Sequence, residues 1–131
     1  MRIQPYLFFD GHCDEAIAFY QLSLGAEVAH LLRYRDGPQP PAPGTEDKVM
    51  HAELRIGETT VLVSDGHRQG HPRFQGFALS LTVPDESEAE RLFAALGEGG
   101  QVQMPMAKAF FSSRFGMATD RFGVLWIIYV A

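Results

Sequence analysis

Two short segments decide the fold: Cys13–Gly25, which reads CDEAIAFYQLSLG, and Asp85–Gly97, which reads DESEAERLFAALG. In both segments apolar residues recur at helical spacing, so each predicts a helix. Acidic residues in the first turn favour the positive end of the helix dipole, and a glycine ends each run. Glu15-Ala16 and Glu88-Ala89 match at an offset of 73 residues (88 − 15). The chain therefore contains the same unit twice.

Strands surround both helices in the same order. Runs rich in β-branched and aromatic residues predict strand, helix, strand, strand, strand in each half. A two-residue hairpin connection, Gly57-Glu58, joins two of the strands. The predicted strands are Ile3–Phe9, Glu27–Tyr34, Lys48–Ile56 and Thr59–Ser64, followed by Phe77–Val83, Gln101–Met106, Ser113–Thr119 and Val124–Val130.

This pattern predicts an α+β fold made of two βαβββ modules, at about 1–65 and 76–131, that form one cupped, mostly antiparallel sheet within a single domain 1–131. Neither half alone buries much surface, because small units close a core poorly. Two polar segments lie between strands. Prolines and glycines predict an exposed loop at Arg35–Asp47, and Asp65–Gly76 reads as a solvated loop with His67, Arg68, His71 and Arg73.

Composition excludes several classes of function. The 131 residues are 46% hydrophobic and 21% charged, with a formal net charge of −5, so the chain lacks the basic surface that a nucleic-acid binder needs. No apolar run approaches the ~20 residues of a membrane span. The single cysteine, Cys13, excludes an internal disulfide and fits a reducing compartment, so we expect a cytoplasmic protein.

Several motifs resemble the vicinal oxygen chelate superfamily, which includes glyoxalase I, bleomycin-resistance proteins and extradiol dioxygenases. They are PYLFFDG at 5–11, EAIAFY at 15–20 and LGAEV at 24–28. Three further motifs resemble, more narrowly, the PhnB-like subgroup: HAELRIG at 51–57, RFG at 114–116 and DRFGVLW at 120–126. The resemblance implies a homodimer of paired βαβββ modules with a cavity for a small molecule.

Metal-dependent members of that superfamily draw four ligands from four strands, and the resemblance carries only one of them to this chain. Glu53 matches a ligand position, whereas the other positions fall on Pro5, on Phe77 or Leu79, and on Ile127, which offer no donor atom. One carboxylate does not hold a divalent metal against water. We therefore expect no cofactor and no glyoxalase-type metal site.

Strand alternation places His51, Glu53 and Arg55 on one face of Lys48–Ile56. In a cupped sheet they could face the cavity, where Glu53 would act as a base and His51 would support or shuttle the proton. The alternative is a polar ladder at a sheet edge or a dimer seam. Both interpretations remain open from the sequence.

Other candidates come from the second half. Arg114 could clamp an anionic substrate through its planar guanidinium, or could pair with Asp120 or Glu53. Four aromatic residues could line an apolar pocket or belong to the core or the dimer interface: Phe111, Phe115, Trp126 and Tyr129. Cys13, at a helix start, could have a lowered pKa.

The sequence therefore predicts a dimeric, PhnB-like protein that binds a small molecule, with an undetermined reaction. The alternatives are a glyoxalase- or isomerase-like enzyme, metal-dependent or abstracting a proton beside a carbonyl, and a drug-sequestering dimer in the manner of bleomycin-resistance proteins. A methyltransferase is disfavoured. No glycine-rich strand-to-helix loop follows the first strand, and the topology is not a doubly wound sheet.

Overall fold

The structure, a computed structural model, describes residues 1–66 and 73–131, so His67, Arg68 and His71 of the second predicted loop lie outside the described residues. The chain divides into two compact units, Met1–Pro72 and Arg73–Ala131. Each unit contains one of the two modules. Whether they make a single domain stays a prediction.

The first unit is a four-stranded mixed sheet with one helix. The strand order is β1-β4-β3-β2, in which β1 runs parallel to β4 and the other neighbours are antiparallel. The elements are β1 (Tyr6–Phe8), α1 (Cys13–Leu24), β2 (Glu27–Arg33), β3 (Val49–Ile56) and β4 (Thr59–Ser64), with a 3-10 turn at Tyr34–Asp36.

The second unit repeats this design. Its strand order is β5-β8-β7-β6, again with one parallel pair and two antiparallel pairs. The elements are β5 (Leu79–Val83), α2 (Glu86–Gly97), β6 (Gln101–Ala109), β7 (Ser112–Thr119) and β8 (Leu125–Val130). The predicted α+β fold with two βαβββ modules is confirmed.

The two helices begin 73 residues apart (86 − 13), as the repeat predicts, and each has twelve residues. Ala16 and Ala89, the matched alanines, are both fully buried. Gly25 ends α1 in the left-handed conformation, at φ 67°, which a residue without a Cβ adopts at little cost. Within residues 1–66 and 73–131, neither helix is long and apolar enough to cross a membrane.

The helices begin in different ways. Asp85 caps α2 locally, since its carboxylate accepts a hydrogen bond from the backbone N–H of Glu88 at 2.8 Å. His12, at the corresponding place before α1, makes no such bond. A carboxylate from the end of β4, that of Asp65, accepts instead from the backbone N–H of Cys13 at 2.9 Å. The start of α1 therefore depends on a residue that is distant in sequence.

Candidate functional site

One face of the first sheet carries polar and aromatic side chains. Along β3, Ala52 and Leu54 are fully buried on the side that packs against α1, and alternation sends His51 and Glu53 to the other side. The register of β2 and β3 sets His30 opposite Glu53. We call this surface the polar face, and it consists of Tyr6, Phe8, His30, His51 and Glu53.

The centre of the polar face is a contact between a phenol and an imidazole. The hydroxyl oxygen of Tyr6 lies 2.7 Å from Nδ1 of His51, within hydrogen-bonding distance. The Tyr6 ring stacks on Phe8 at 4.9 Å between centroids, and the ring of His30 lies 6.4 Å from that of His51. Polar groups and apolar ring surface therefore occur side by side.

Tyr6 keeps its proton at neutral pH. Burial raises the pKa of this phenol above its usual value, and Tyr34 and Cys13 add to the effect. Because an ordinary tyrosine already titrates near 10, the side chain is a neutral phenol throughout the physiological range. It can therefore donate a hydrogen bond as well as accept one.

The structure brings three of the four predicted aromatic residues together in the second unit. Phe115 and Tyr129 lie opposite each other on β7 and β8. Phe111 packs edge-on against both, at 5.2 Å from the Phe115 ring and 6.0 Å from the Tyr129 ring. We call these three residues the aromatic cluster. Phe110, at the hairpin tip, contacts Phe111 and is fully exposed.

Trp126 and Arg114 lie elsewhere in the second unit. Trp126 is 2% exposed, and its indole N–H donates to the carboxylate of Asp120 at 2.9 Å. Arg114 donates to Glu90 at 3.2 Å and lies 3.5 Å from Glu86, so within the second unit it forms ion pairs with α2. These contacts stabilise the module. A role for either residue in ligand binding stays a prediction.

The structure shows the surroundings of Cys13 and the direction in which they shift the pKa of its thiol. This residue is fully buried, and burial raises the pKa of its thiol far above the ordinary value, with the carboxylates of Asp65 and Asp14 adding to the shift. The lowered pKa that a helix start could produce is therefore not found for this thiol, because desolvation and nearby negative charge raise its pKa instead. The thiol therefore keeps its proton at neutral pH.

Asp65 is an important residue that the sequence interpretation missed. It is buried, and its two carboxylate oxygens accept hydrogen bonds from the backbone N–H groups of Gly11, Cys13 and Val49 at 2.7, 2.9 and 2.8 Å. The sequence pattern places it at the start of a solvated loop, but its side chain is buried. The only signal in the sequence is its place directly after a strand.

The donor atoms do not fit the metal that the superfamily implies. Of the four ligand positions that the resemblance implies, three fall on residues without a donor atom, and Glu53 matches the fourth. Among the residues that the structure describes, no three His, Cys, Asp or Glu side chains are placed to hold an ion together.

A separate cavity of about 400 Å³ lies under the proline-rich loop of the first unit. Tyr34, Pro38, Pro40 and Met50 are among the residues that line it. Met50 lies next to His51 on β3, so its side chain points to the opposite side of the strand. The cavity is therefore distinct from the polar face.

Residues 1–129 match the family model described as 3-demethylubiquinone-9 3-methyltransferase. A curated relative is Protein YjdN of Escherichia coli (strain K12). It is 33% identical over 140 residues, which cover 99% of this chain and 95% of YjdN.

Two solved structures are similar in both sequence and fold. Protein PA1353 from Pseudomonas aeruginosa is 43% identical with a TM-score of 0.89, over 99% of this chain and 97% of that one. The PhnB protein from Bacillus cereus is 27% identical with a TM-score of 0.82, over the whole of both chains.

The fold is also shared with a glyoxalase-related enzyme from Fulvimarina pelagi, at 18% identity and a TM-score of 0.64, over 100% of this chain and 88% of that one. This likeness concerns the fold alone. It agrees with the paired βαβββ modules and with the motifs found in the sequence. The chain therefore belongs to the PhnB-like family, whose model carries the description 3-demethylubiquinone-9 3-methyltransferase, and its motifs resemble the vicinal oxygen chelate superfamily.

Proposed function

We propose that this chain binds a small organic molecule at the polar face of its first sheet. The observation that supports this most is the 2.7 Å contact between Tyr6 and His51 on a face that also presents Glu53. The stacked rings of Tyr6 and Phe8 supply apolar surface beside these groups. A few convergent polar groups next to aromatic surface are typical of small-molecule sites.

The proposal has three further parts. The aromatic cluster offers apolar ring surface to a small molecule within its own unit, since Phe111 is half-exposed and holds an edge-on geometry that ring systems favour. The protein works as a homodimer. It works in the cytoplasm, as the lone, buried, unpaired Cys13 suggests.

Proton transfer is a second candidate. Glu53 and His51 lie two residues apart on the same side of β3, and Tyr6 contacts the His51 ring. In this scheme Glu53 removes a proton beside a carbonyl group of the ligand and later gives that proton back to the ligand, while His51, oriented by Tyr6, supports or shuttles it between the two positions. The specific observation in favour is that a tyrosine already orients the imidazole.

Methyl transfer is not part of the proposal, although the family model carries that description. A helix N-terminus next to a strand is where such enzymes hold a nucleotide-like cofactor. Here the backbone N–H groups of Gly11 and Cys13, between β1 and α1, already donate to the carboxylate of Asp65. The residues present do not fit that cofactor.

Thermal unfolding in the presence of small carbonyl compounds, hydroxy acids and aromatic amines tests the binding proposal, because a ligand that binds the folded state raises its stability. We expect stabilisation of the wild type, and weaker stabilisation of His51→Gln and Glu53→Gln. Glu58→Gln, an exposed change in the β3–β4 turn, is the matched control. Equal stabilisation of all four proteins would place binding elsewhere.

Deuterium exchange at the carbon beside the carbonyl of a stabilising compound tests proton transfer. The wild type should speed up exchange in heavy water, and Glu53→Gln should abolish that increase while Glu58→Gln keeps it. Binding without any exchange would instead favour sequestration.

A further inference from the structure

We propose that the Tyr6 hydroxyl donates its hydrogen bond to Nδ1 of His51 and thereby fixes His51 as a donor through Nε2–H, so that the polar face selects an uncharged carbonyl compound. This inference deepens the proposed function and rests on it. It makes Tyr6 a positioning residue, and it names the class of ligand.

The first step is the direction of the hydrogen bond. A neutral imidazole carries one N–H donor and one nitrogen with a free lone pair, and the partner of one nitrogen fixes the role of the other. The lone pair of an imidazole nitrogen is a better acceptor than that of a phenol oxygen, whose electrons are delocalised into its ring. At 2.7 Å the favourable arrangement is therefore O–H to nitrogen.

The surroundings of the Tyr6 hydroxyl agree with this direction. Burial raises the pKa of the phenol, so the proton needed for donation is present. Within the part of the chain that the structure describes, no acceptor other than His51 is in hydrogen-bonding distance of this hydroxyl. If His51 donated instead, the phenol proton would have no protein partner there.

The second step is the free nitrogen of His51. With Nδ1 accepting, the ring proton resides on Nε2, which has no hydrogen-bonding partner among residues 1–66 and 73–131. A site that offers a fixed N–H donor is satisfied by a ligand with an acceptor oxygen, and it disfavours an ammonium group, which brings only donors.

The charges on the same sheet favour a neutral acceptor over an anion. Glu53 lies two residues from His51 on the same side of β3, and it repels a carboxylate ligand. Arg55, one step further along that side, is exposed and could offset this repulsion in part. The oxygen of an uncharged carbonyl accepts the hydrogen bond from Nε2–H of His51, and the compound carries no net charge for Glu53 to repel.

The tautomer of His51 is measured first, in the free protein, by nitrogen–proton correlation spectra of the imidazole rings at about pH 8, above the ordinary imidazole pKa of about 6.5. His51→Gln assigns the signals. We expect a pyridine-like Nδ1 and a pyrrole-like Nε2 in the wild type, and a mixture of tautomers in Tyr6→Phe. Tyr34→Phe removes a different phenol, which bonds the Gly66 carbonyl, and should leave His51 unchanged.

The ligand class is measured with four probes of similar shape: acetophenone, ethylbenzene, benzoate and benzylamine. Acetophenone should shift the His51 signals and bind more tightly than the other three. Tyr6→Phe should weaken acetophenone binding by about fivefold, the size of one modest hydrogen bond, whereas Tyr34→Phe should not.

A proton on Nδ1 of His51 in the wild type would overturn the inference but leave the proposed binding function standing, because this measurement involves no ligand. Acetophenone that binds no better than ethylbenzene, or does not bind, would overturn the ligand class even with the expected tautomer. Tighter binding of benzylamine or benzoate would also overturn it. Binding of any probe that Glu53→Gln and His51→Gln leave unchanged would count against the proposed function itself.

Discussion

At the residue scale, the carboxylate of Asp65 organises the first unit. It accepts three backbone hydrogen bonds, from the β1–α1 connection, from the first residue of α1 and from the first residue of β3. Backbone N–H groups that are buried without a partner cost free energy, so these segments need such an acceptor. The residue performs for α1 the capping that His12 does not perform.

We expect Asp65→Asn to lower the free energy of unfolding by about 2 kcal/mol. An amide has only one oxygen, so its NH₂ group must face at least one of the three N–H donors. Urea denaturation measures the loss. Glu58→Gln makes the same chemical change at an exposed position and should stay within about 0.5 kcal/mol of the wild type. Equal stability of the two variants would contradict the role given to Asp65.

The raised pKa of Cys13 predicts a loss of stability at alkaline pH. The unfolded thiol titrates near 8.5, and the folded thiol holds its proton to a higher pH. Its contribution to stability is therefore complete below pH ~8.5. It decreases above that value, by at most about 1.4 kcal/mol per pH unit.

Urea denaturation as a function of pH, compared between the wild type and Cys13→Ala, isolates this contribution from other titrating groups. The wild type should lose stability more steeply than the variant above pH ~8.5. Folded wild type should also react slowly with a thiol reagent at pH ~8. Parallel curves, or fast modification of the folded protein, would show that the thiol is ionised more easily than its burial implies.

At the element scale, β7 passes close under α2 at Gly116. A Cβ at this position would lie 2.5 Å from the sulfur of Met106 and 2.9 Å from a ring carbon of Phe93. Both distances are far below van der Waals contact, and the Phe93 ring belongs to the helix. The glycine therefore allows the close approach of helix and sheet.

We expect Gly116→Ala to destabilise the protein by about 1–3 kcal/mol, the usual cost of overpacking. Gly97→Ala is the control. It adds a methyl group at the last residue of α2, where the nearest atom is 3.9 Å away, and should be neutral or stabilising by up to about 1 kcal/mol. Thermal unfolding of both variants gives the comparison. The same sign of effect in both would contradict this packing.

The sequence predicted the elements better than it predicted the candidate site. The bounds of α1 and β4 agree residue for residue, because helical periodicity and a hairpin glycine are local signals. β1 begins only at Tyr6, since Pro5 before it has no N–H to donate. β6 continues to Ala109 through Pro105, because an edge strand tolerates a proline.

The site depends on contacts that no local pattern reveals. His51 and Glu53 could be placed on one face from their spacing alone. Tyr6 joins them only because β1 pairs in parallel with β4, 56 residues later at Leu62 (62 − 6). His30 reaches the same face through the register of β2 with β3. The positions of Tyr6 and His30 on the polar face therefore depend on non-local strand pairing, which local sequence patterns do not reveal.

At the scale of the whole molecule, the chain exposes apolar residues that a homodimer would cover. Phe110 is fully exposed, and Val102 and Met104 on the edge strand β6 are about half-exposed. Large contiguous apolar surface is uncommon on monomers and is typical of interfaces. This exposure supports the proposal of a second copy as partner.

We expect light scattering after size-exclusion chromatography to give about twice the chain mass of 14.6 kDa. Phe110→Glu should shift the protein toward the monomer, since a buried charge at an interface is costly. Leu22→Glu changes an equally apolar and 88% exposed residue on α1 and should leave the mass unchanged. A wild type that elutes with the mass of one chain at micromolar concentration would contradict the dimer.

The different caps at the N-termini of α1 and α2 have a consequence for the order of folding. The cap of α2 comes from its own first turn, so that helix can form while the chain around it is still open. α1 acquires its cap only when Asp65, 52 residues beyond Cys13, has arrived. The entropic cost of closing so long a loop must be met before the hydrogen bond to Asp65 can form and stabilise the helix. The helix of one copy of the repeated module can therefore begin from local contacts, whereas the helix of the other gains its cap only when the last strand of its module is in place.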